Sequence, residues 1–311
     1  MSKRATARVL LVFADGVGLG EPDPARNAFA AAALPTFSRL LDGRTLTADN
    51  APFTGQLASL VALDATFGRA GLPQSGTGHA ALFTGHDAVA MFGRHFGPWV
   101  PTPLRPLVRE QSLLVRAKNA GRTVAFANAY PEEVVEPAKH PDARLPRFLR
   151  AGPPLAALGA DILNRHTDAL RSGDAVASEI TNDGWRRHLK RDVPSISAAD
   201  AGHNLARIAH AHDLTLFAHY STDTAGHRRD LHDAIDAARV FDAFLGGLLD
   251  ALASDVLVVV ASDHGNLEDC TAGHTRNPAV GLVMGAGHAM LVRGWTSLTD
   301  VTPAILAVLG L

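Results

Sequence analysis

At 311 residues, with 47% hydrophobic and 19% charged side chains, the chain has a globular composition, long enough for one large domain or a core carrying a smaller insertion. Its 29 basic and 31 acidic residues leave a formal net charge of −2, which excludes a long-range field that would draw nucleic acid or an anionic membrane. The single cysteine, Cys270, excludes an internal disulfide and a thiolate metal cluster. It reads as an incidental loop thiol and fits a reducing compartment.

The opening "MSKRATARVLLVFADG" sets basic residues before an apolar run of only about six residues, shorter than a signal-peptide core. No run approaches bilayer-spanning length, so the expectation is a soluble, cytoplasmic protein. "VLLVFA" (9–14) is near-continuously apolar, as a parallel strand buried on both faces should be, and residues 25–41 carry helical periodicity. In "GLPQSGTGHAALFTG" (71–85), Gly and Pro make a turn and a helix then begins. This puts the hydroxyls of Ser75 and Thr77 at or near a helix N-terminus, where free N–H groups receive anions.

From 86 to 199 the texture changes to Pro-rich connections around short elements, including a helix-like "LLVRAKNAG" and a strand-like "RTVAFANAY" (122–130). This stretch reads as an inserted, smaller α/β cap domain between core segments 1–85 and 200–311. The core resumes with a helix over 198–212, a buried strand "LTLFAHY" (214–220), a helix over 230–253 and a buried strand "VLVVVA" (256–261). Alternating strands and helices predict an α/β fold with a mostly parallel central sheet between helices.

Each apolar strand runs into an aspartate: Asp15 after the first, Asp223 with His227 after the second, Asp263 with His264 after the third. Ligands of open parallel sheets bind at the carboxyl ends of strands, so these acids should share one edge. Gathered there they would repel one another unless cations compensate them. With His274 they form a sulfur-free Asp/His set suited to Mn²⁺ or Zn²⁺, with Mg²⁺ also possible. Six side chains are too many for one tetrahedral ion, and two divalent metal ions would use them all and could clamp a phosphoryl group. A hydroxyl at Ser75 or Thr77 beside such ions is a candidate nucleophile.

With these residues assembled, the sequence resembles the alkaline phosphatase superfamily, in the branch of cofactor-independent phosphoglycerate mutase and phosphopentomutase. The resemblance rests on Asp15-Gly, "SGTGH" (75–79), "DTAGHRRD" (223–230), "SDHGN" (262–266), "GHTRNP" (273–278) and the closing "LTDVTPAILAVLGL". It covers residues 9–85 and 200–311 and implies an alkaline-phosphatase-like core. It also implies roles: Asp15, Asp263 and His264 on one metal, with Ser75 as further ligand and nucleophile, and Asp223, His227 and His274 on the other. His79 has no ligand role in that pattern and reads as a loop-organising residue. No "DGRD"-like segment of the glycerate mutase occurs, and phosphopentomutase uses a threonine nucleophile, so the cap identifies neither mutase.

The activity so implied is phosphoryl transfer from a small-molecule phosphate ester through a phosphoserine, as a phosphatase. The alternatives are a phosphomutase on the same core, a catalytically silent metal-binding domain, and a diesterase or sulfatase. Arg94 and His95 in "FGRHFGPW" (92–99), together with Arg276, are candidates to bind the substrate anion. The basic run "GWRRHLKRD" (184–192) reads as solvent-facing. Oligomeric state is not legible.

Overall fold

The computed structural model describes residues 8–140 and 144–311, so most of the basic N-terminal extension lies outside the described residues. A seven-stranded sheet organises the chain: β1 (Arg8–Ala14), β2 (Phe53–Thr54), β3 (Ala58–Leu63), β4 (Val124–Phe126), β5 (Leu214–His219), β6 (Val256–Ala261) and β7 (Ala279–Met284), in spatial order β2-β3-β7-β6-β1-β5-β4. β6, β1, β5 and β4 are mutually parallel. β7 runs against β6, β3 against β7 and β2 against β3, so five of the seven strands point the same way.

The central strands are apolar throughout because both faces are covered. Alternate residues of β1 divide between two cores: Val9, Leu11 and Phe13 face one, Leu10, Val12 and Ala14 the other. The first core packs beneath helices Ser75–Thr84, Leu113–Asn119, Gly152–Gly159 and Val301–Val308. The second packs against Pro35–Leu40, Ala198–His210 and the long amphipathic helix Leu231–Asp250, through Phe37, Leu205, Phe241 and Phe244. Burying side chains such as Phe13 or Phe241 completely stabilises the fold by roughly 1.5–3 kcal/mol each.

Three sequence expectations change in detail. The helix expected over 25–41 is two short helices, Ala28–Ala31 and Pro35–Leu40. Pro35 opens the second, and the residue before a proline is steered away from helical backbone, as Leu34 is at φ −125°, ψ 80°. The strand expected over 214–220 stops at His219, and a helix, Ser221–Arg228, starts at once. The strand-like run 122–130 contributes only β4, which pairs in parallel with β5 on the edge of the main sheet.

Residues 86–199 therefore do not stand wholly apart. Val108, Leu113, Leu114, Phe126 and Leu155 share the first core with Leu11 and Phe13. A separate small cluster, Ala129, Leu170, Ala175, Ala177, Trp185 and Val193, gathers the later part of the segment.

Candidate metal centre

The strand register builds the site. Ala14 lies opposite His219, and Phe13 opposite Ala261. Continuing by two residues brings Asp15 level with Asp263, and the Gly16 N–H lies 3.5 Å from Asp263 Oδ1. Asp223 enters from the first turn of Ser221–Arg228, and His227, four residues on, lies on the same helix face. Their Oδ2 and Nε2 atoms are 3.3 Å apart. The helix Ser75–Thr84 points its first residue at this edge, so Ser75 Oγ sits 2.9 Å from His264 Nε2.

His264 occupies the centre. Its Nε2 lies 3.4 Å from Asp15 Oδ1, 3.5 Å from Asp263 Oδ2 and 4.0 Å from Asp223 Oδ1. His274 Nε2 lies 3.7 Å from Asp223 Oδ1 and 3.1 Å from His227 Nε2. All seven expected metal-binding residues thus converge. Donor atoms within 4.8 Å of one another group Asp223 with His264 and His274, and Asp15 with His79 and Asp263, while two further groups, Glu132 with Glu136 and His166 and Asp230 with His232 and Asp233, are mostly exposed.

Backbone carbonyls orient the imidazoles. The Nδ1 of His274 is 2.8 Å from Pro73 O and that of His264 is 3.2 Å from Gly265 O. An Nδ1–H donating there leaves Nε2 with a lone pair directed at the carboxylates, the arrangement of metal-binding histidines. His79 is the reverse case. The Gly152 N–H donates to its Nδ1 at 3.2 Å, so a neutral ring carries its proton on Nε2. That nitrogen faces Asp263 Oδ2 at 3.3 Å and Asp15 Oδ2 at 3.5 Å. His79 is thus a buried mid-helix imidazole that fixes the backbone at Gly152 and turns its Nε2 towards two carboxylates.

The electrostatics are those of a site short of positive charge. Burial pushes the Asp263 carboxyl up, with the Asp15 charge adding to it. Burial acts on Asp15 in the same sense, but the His264 and His79 imidazoles beside it, at 3.4 and 3.5 Å, outweigh it and hold Asp15 low. Burial would push His264 down, yet the charges of Asp263 and Asp15 raise it. His274 is lowered by burial and by the neighbouring His264. Asp15 Oδ1 and Asp263 Oδ2 are buried without a hydrogen-bond partner, a costly state for carboxylate oxygens unless a cation takes them up. The donor set, carboxylates and imidazoles with one hydroxyl and no sulfur, fits divalent ions.

Residues not picked out in the sequence hold the set in place. Asn266 Nδ2 donates to Asp223 Oδ1 at 2.6 Å. Thr222 Oγ1 donates to Asp15 O at 2.6 Å, and Ser262 Oγ accepts from the Val17 N–H. The buried Glu268 carboxylate gathers the N–H groups of Gly18 and Asn266, the Thr275 hydroxyl and the Asn277 amide, and so ties the loop bearing His264 and His274 to the end of β1. Thr77, the other candidate nucleophile, is buried, and its hydroxyl accepts from the Phe96 N–H, away from the carboxylates. Cys270 packs into the second core and belongs to none of the donor groups.

The three residues expected to bind substrate lie elsewhere. Arg94 is exposed over the rings of Phe92 and Phe96, and Arg276 donates to the carbonyls of Arg69 and Gly71. Neither these nor His95 lines the cavity of about 580 Å³ that opens from Ser75.

The family model described as the metalloenzyme superfamily matches residues 7–311, nearly the whole chain. The chain belongs to the metalloenzyme superfamily. Over 126 residues this superfamily member is 35% identical to a 2,3-bisphosphoglycerate-independent phosphoglycerate mutase of Desulforudis audaxviator, a match covering 38% of the chain and 25% of that relative. The same-named protein of Halobacterium salinarum is 32% identical over 108 residues, covering 32% and 21%. The matched stretch thus spans about a quarter of these relatives' length.

The fold is shared with a protein of Pyrococcus horikoshii (TM-score 0.59, 12% identity, 98% and 97% of the two chains) and with alkaline phosphatase from the Antarctic bacterium TAB5 (0.52, 14%, 97% and 98%). It is also shared with the phosphoglycerate mutase of Leishmania mexicana (0.51, 14%, 100% and 96%). The alkaline-phosphatase-like architecture expected from the sequence is the one observed. Among the described residues no helix is long and apolar enough to cross a membrane.

Proposed function

We propose that this protein transfers the phosphoryl group of a small phosphate monoester through a phosphoserine at Ser75, and that water completes the reaction to make it a phosphatase. The carrying observation is the position of Ser75 Oγ, at the start of a helix and 2.9 Å from His264 Nε2, beside buried carboxylate oxygens that lack partners. Asp15, Asp263, His264 and the Ser75 hydroxyl would hold one divalent ion, and Asp223, His227 and His274 the other, with Mn²⁺ or Zn²⁺ suiting the donors and Mg²⁺ also possible. Bound there, such ions neutralise phosphate charge and lower the pKa of the serine hydroxyl.

The chain's own residues do the rest. Ser75 Oγ gives up its proton to solvent and attacks phosphorus, the P–O bond to the leaving group breaks, and that oxygen takes a proton from solvent to depart as the alcohol. Water then forms a new P–O bond and gives up a proton as the Ser75 Oγ–P bond breaks, and Oγ is reprotonated, leaving free phosphate. The Ser75 and Gly76 N–H groups open the Ser75–Thr84 helix and would donate to the phosphoryl oxygens, whereas those of Thr77 and Gly78 are taken by Phe96 O and Gln74 O. The His79 imidazole, 3.3 Å from Asp263 Oδ2 and 3.5 Å from Asp15 Oδ2, offsets part of the negative charge gathered there. Catalysis of this kind is mostly positioning and charge neutralisation, which is why donors to the site outnumber acid–base groups.

A mutase is the second reading, favoured by the names of the curated relatives. It requires only that the dephosphorylated alcohol stay bound and present another hydroxyl to phosphoserine. We propose that the cap function resides in the part of 86–199 beyond β4, where the small separate cluster forms. The test is acid quenching of manganese-loaded protein with labelled phosphate ester. Wild type should trap near-stoichiometric phosphoserine, whereas Ser75→Ala should trap none and lose turnover by about a thousandfold or more while keeping its metal by elemental analysis. Full turnover by Ser75→Ala would remove the nucleophile assignment. Release of free phosphate against positional isomers separates phosphatase from mutase.

A further inference from the structure

The cavity beyond Ser75 has a composition that the metal centre does not explain. Five aromatic side chains wall it: Trp99, Tyr130, Phe148, Trp185 and Tyr220. Tyr130 and Phe148 stack at 6.3 Å, 24° apart in plane. Outside the catalytic floor and besides the phenols of Tyr130 and Tyr220 its charged or titratable groups are Glu133, Glu179 and His188, and among the described residues no lysine or arginine lines it. Both acids are already engaged: Glu133 pairs with Arg191, and Glu179 accepts from the N–H groups of Gly184 and Trp185 at 2.9 and 3.3 Å.

A leaving group with its own carboxylate, such as glycerate, would face two acids and no lining lysine or arginine to pair with, Arg191 being already engaged by Glu133. An uncharged ring or branched alkyl chain would instead meet flat apolar walls, where aromatic contacts add to area burial. At about 580 Å³ the cavity is several times larger than a phosphate requires, within the range of pockets that enclose whole organic ligands.

We infer that the organic part of the substrate is uncharged and predominantly apolar, an aryl or arylalkyl phosphate monoester in place of a phosphorylated hydroxy acid. This rests on the phosphoryl-transfer reading above, with the cavity setting the substrate class. Phe148, 43% exposed at the mouth, is the specificity residue whose removal is least disruptive to folding.

The experiment compares benzyl phosphate, methyl phosphate and 3-phosphoglycerate as substrates of the manganese-loaded full chain. Benzyl alcohol is no better a leaving group than the glycerate hydroxyl, so a preference reports the cavity. The expected kcat/KM for benzyl phosphate exceeds that for 3-phosphoglycerate at least about tenfold. Phe148→Ala should raise KM for benzyl phosphate about two- to tenfold, more than it raises KM for methyl phosphate, and equal effects on the two esters would count against the cavity's role. A second measurement, calorimetric binding of benzylphosphonate and 3-phosphoglycerate to metal-loaded Ser75→Ala, reads the cavity without turnover.

Equal or better use and binding of 3-phosphoglycerate overturns the inference and leaves phosphoryl transfer standing. Failure to turn over any of the three esters, with benzylphosphonate still bound more tightly, overturns the proposed activity and supports the cavity's preference.

Discussion

His219 is a residue whose charge state the fold dictates. Fully buried at the end of β5, it stacks on Phe241 with ring centres 5.4 Å apart, and its Nδ1–H donates to Ser178 O at 2.7 Å. Burial pushes its pKa down to about 4, against the partial offsets of the Ser178 bond and the Asp15 charge. The unfolded chain takes up this proton near pH 6.5 while the native protein refuses it until about pH 4. The stabilisation is therefore complete above the unfolded pKa and is lost as pH falls across that window, by about 3 kcal/mol at most. His219→Phe keeps the stacking but leaves the Ser178 carbonyl without its donor, costing about 1 kcal/mol at every pH. Urea unfolding of both proteins under chelation checks this. The wild-type advantage at pH 7 should shrink and reverse by pH 4, and parallel curves across the window would show that His219 is not the titrating group.

At the scale of elements, the turn between β1 and the metal centre shows how close packing serves the site. Gly16 has φ +69°, and a Cβ there would lie 2.8 Å from Asp223 Oδ1 and 2.9 Å from Asp223 Cα. Gly16→Ala should fold, at a cost of about 1–2 kcal/mol, but push Asp223 aside and weaken metal binding about tenfold or more. Metal titration followed by calorimetry measures the effect, and wild-type affinity in a folded variant would show that Asp223 has slack. The elements that carry chemistry were legible in the sequence because strands covered on both faces are unbroken apolar runs, and an aspartate following each run stands out. β3 and β7, six residues each like β5 and β6, are interrupted by Ser59 and Gly281 and do not stand out as unbroken apolar runs, although Asp64 follows β3 directly. The expected 25–41 helix failed at Pro35, a local steric effect that apolar periodicity does not encode. His79 had one readable signal: it lies four residues after Ser75, one turn along the same helix face. Its tautomer had none, because the Gly152 N–H that sets it comes from another part of the chain. Glu268 was equally hidden, since its partners at Gly18, Asn266, Thr275 and Asn277 meet only after the loop has folded.

Across the whole molecule, the metal centre joins segments that are distant in sequence. Asp15 follows β1, Ser75 and His79 belong to the helix layer over one face, Asp223 and His227 follow β5, and Asp263, His264 and His274 follow β6. Under the ligation proposed above, a divalent ion held by this set would cross-link the sheet to its covering helix. Their removal leaves buried carboxylates whose only compensation is protonation of one another and of the imidazoles. A ligand bound only by the native state at a hundred times its dissociation constant adds about 2.7 kcal/mol of stability. At about 2.1 cal/mol/K per residue a 311-residue chain moves its Tm by about 1.5 °C per kcal/mol, so chelation should lower Tm by about 4 °C, and returning manganese or zinc should restore it. Differential scanning calorimetry of chelated, manganese-loaded and zinc-loaded protein makes the comparison. Because the donors belong to the core and not to the segment beyond β4, the shift should persist in a Phe148→Ala protein whose substrate cavity is altered. A Tm indifferent to chelation would mean that imidazolium–carboxylate pairing alone compensates the acids, and that the convergence of these side chains is not a metal centre.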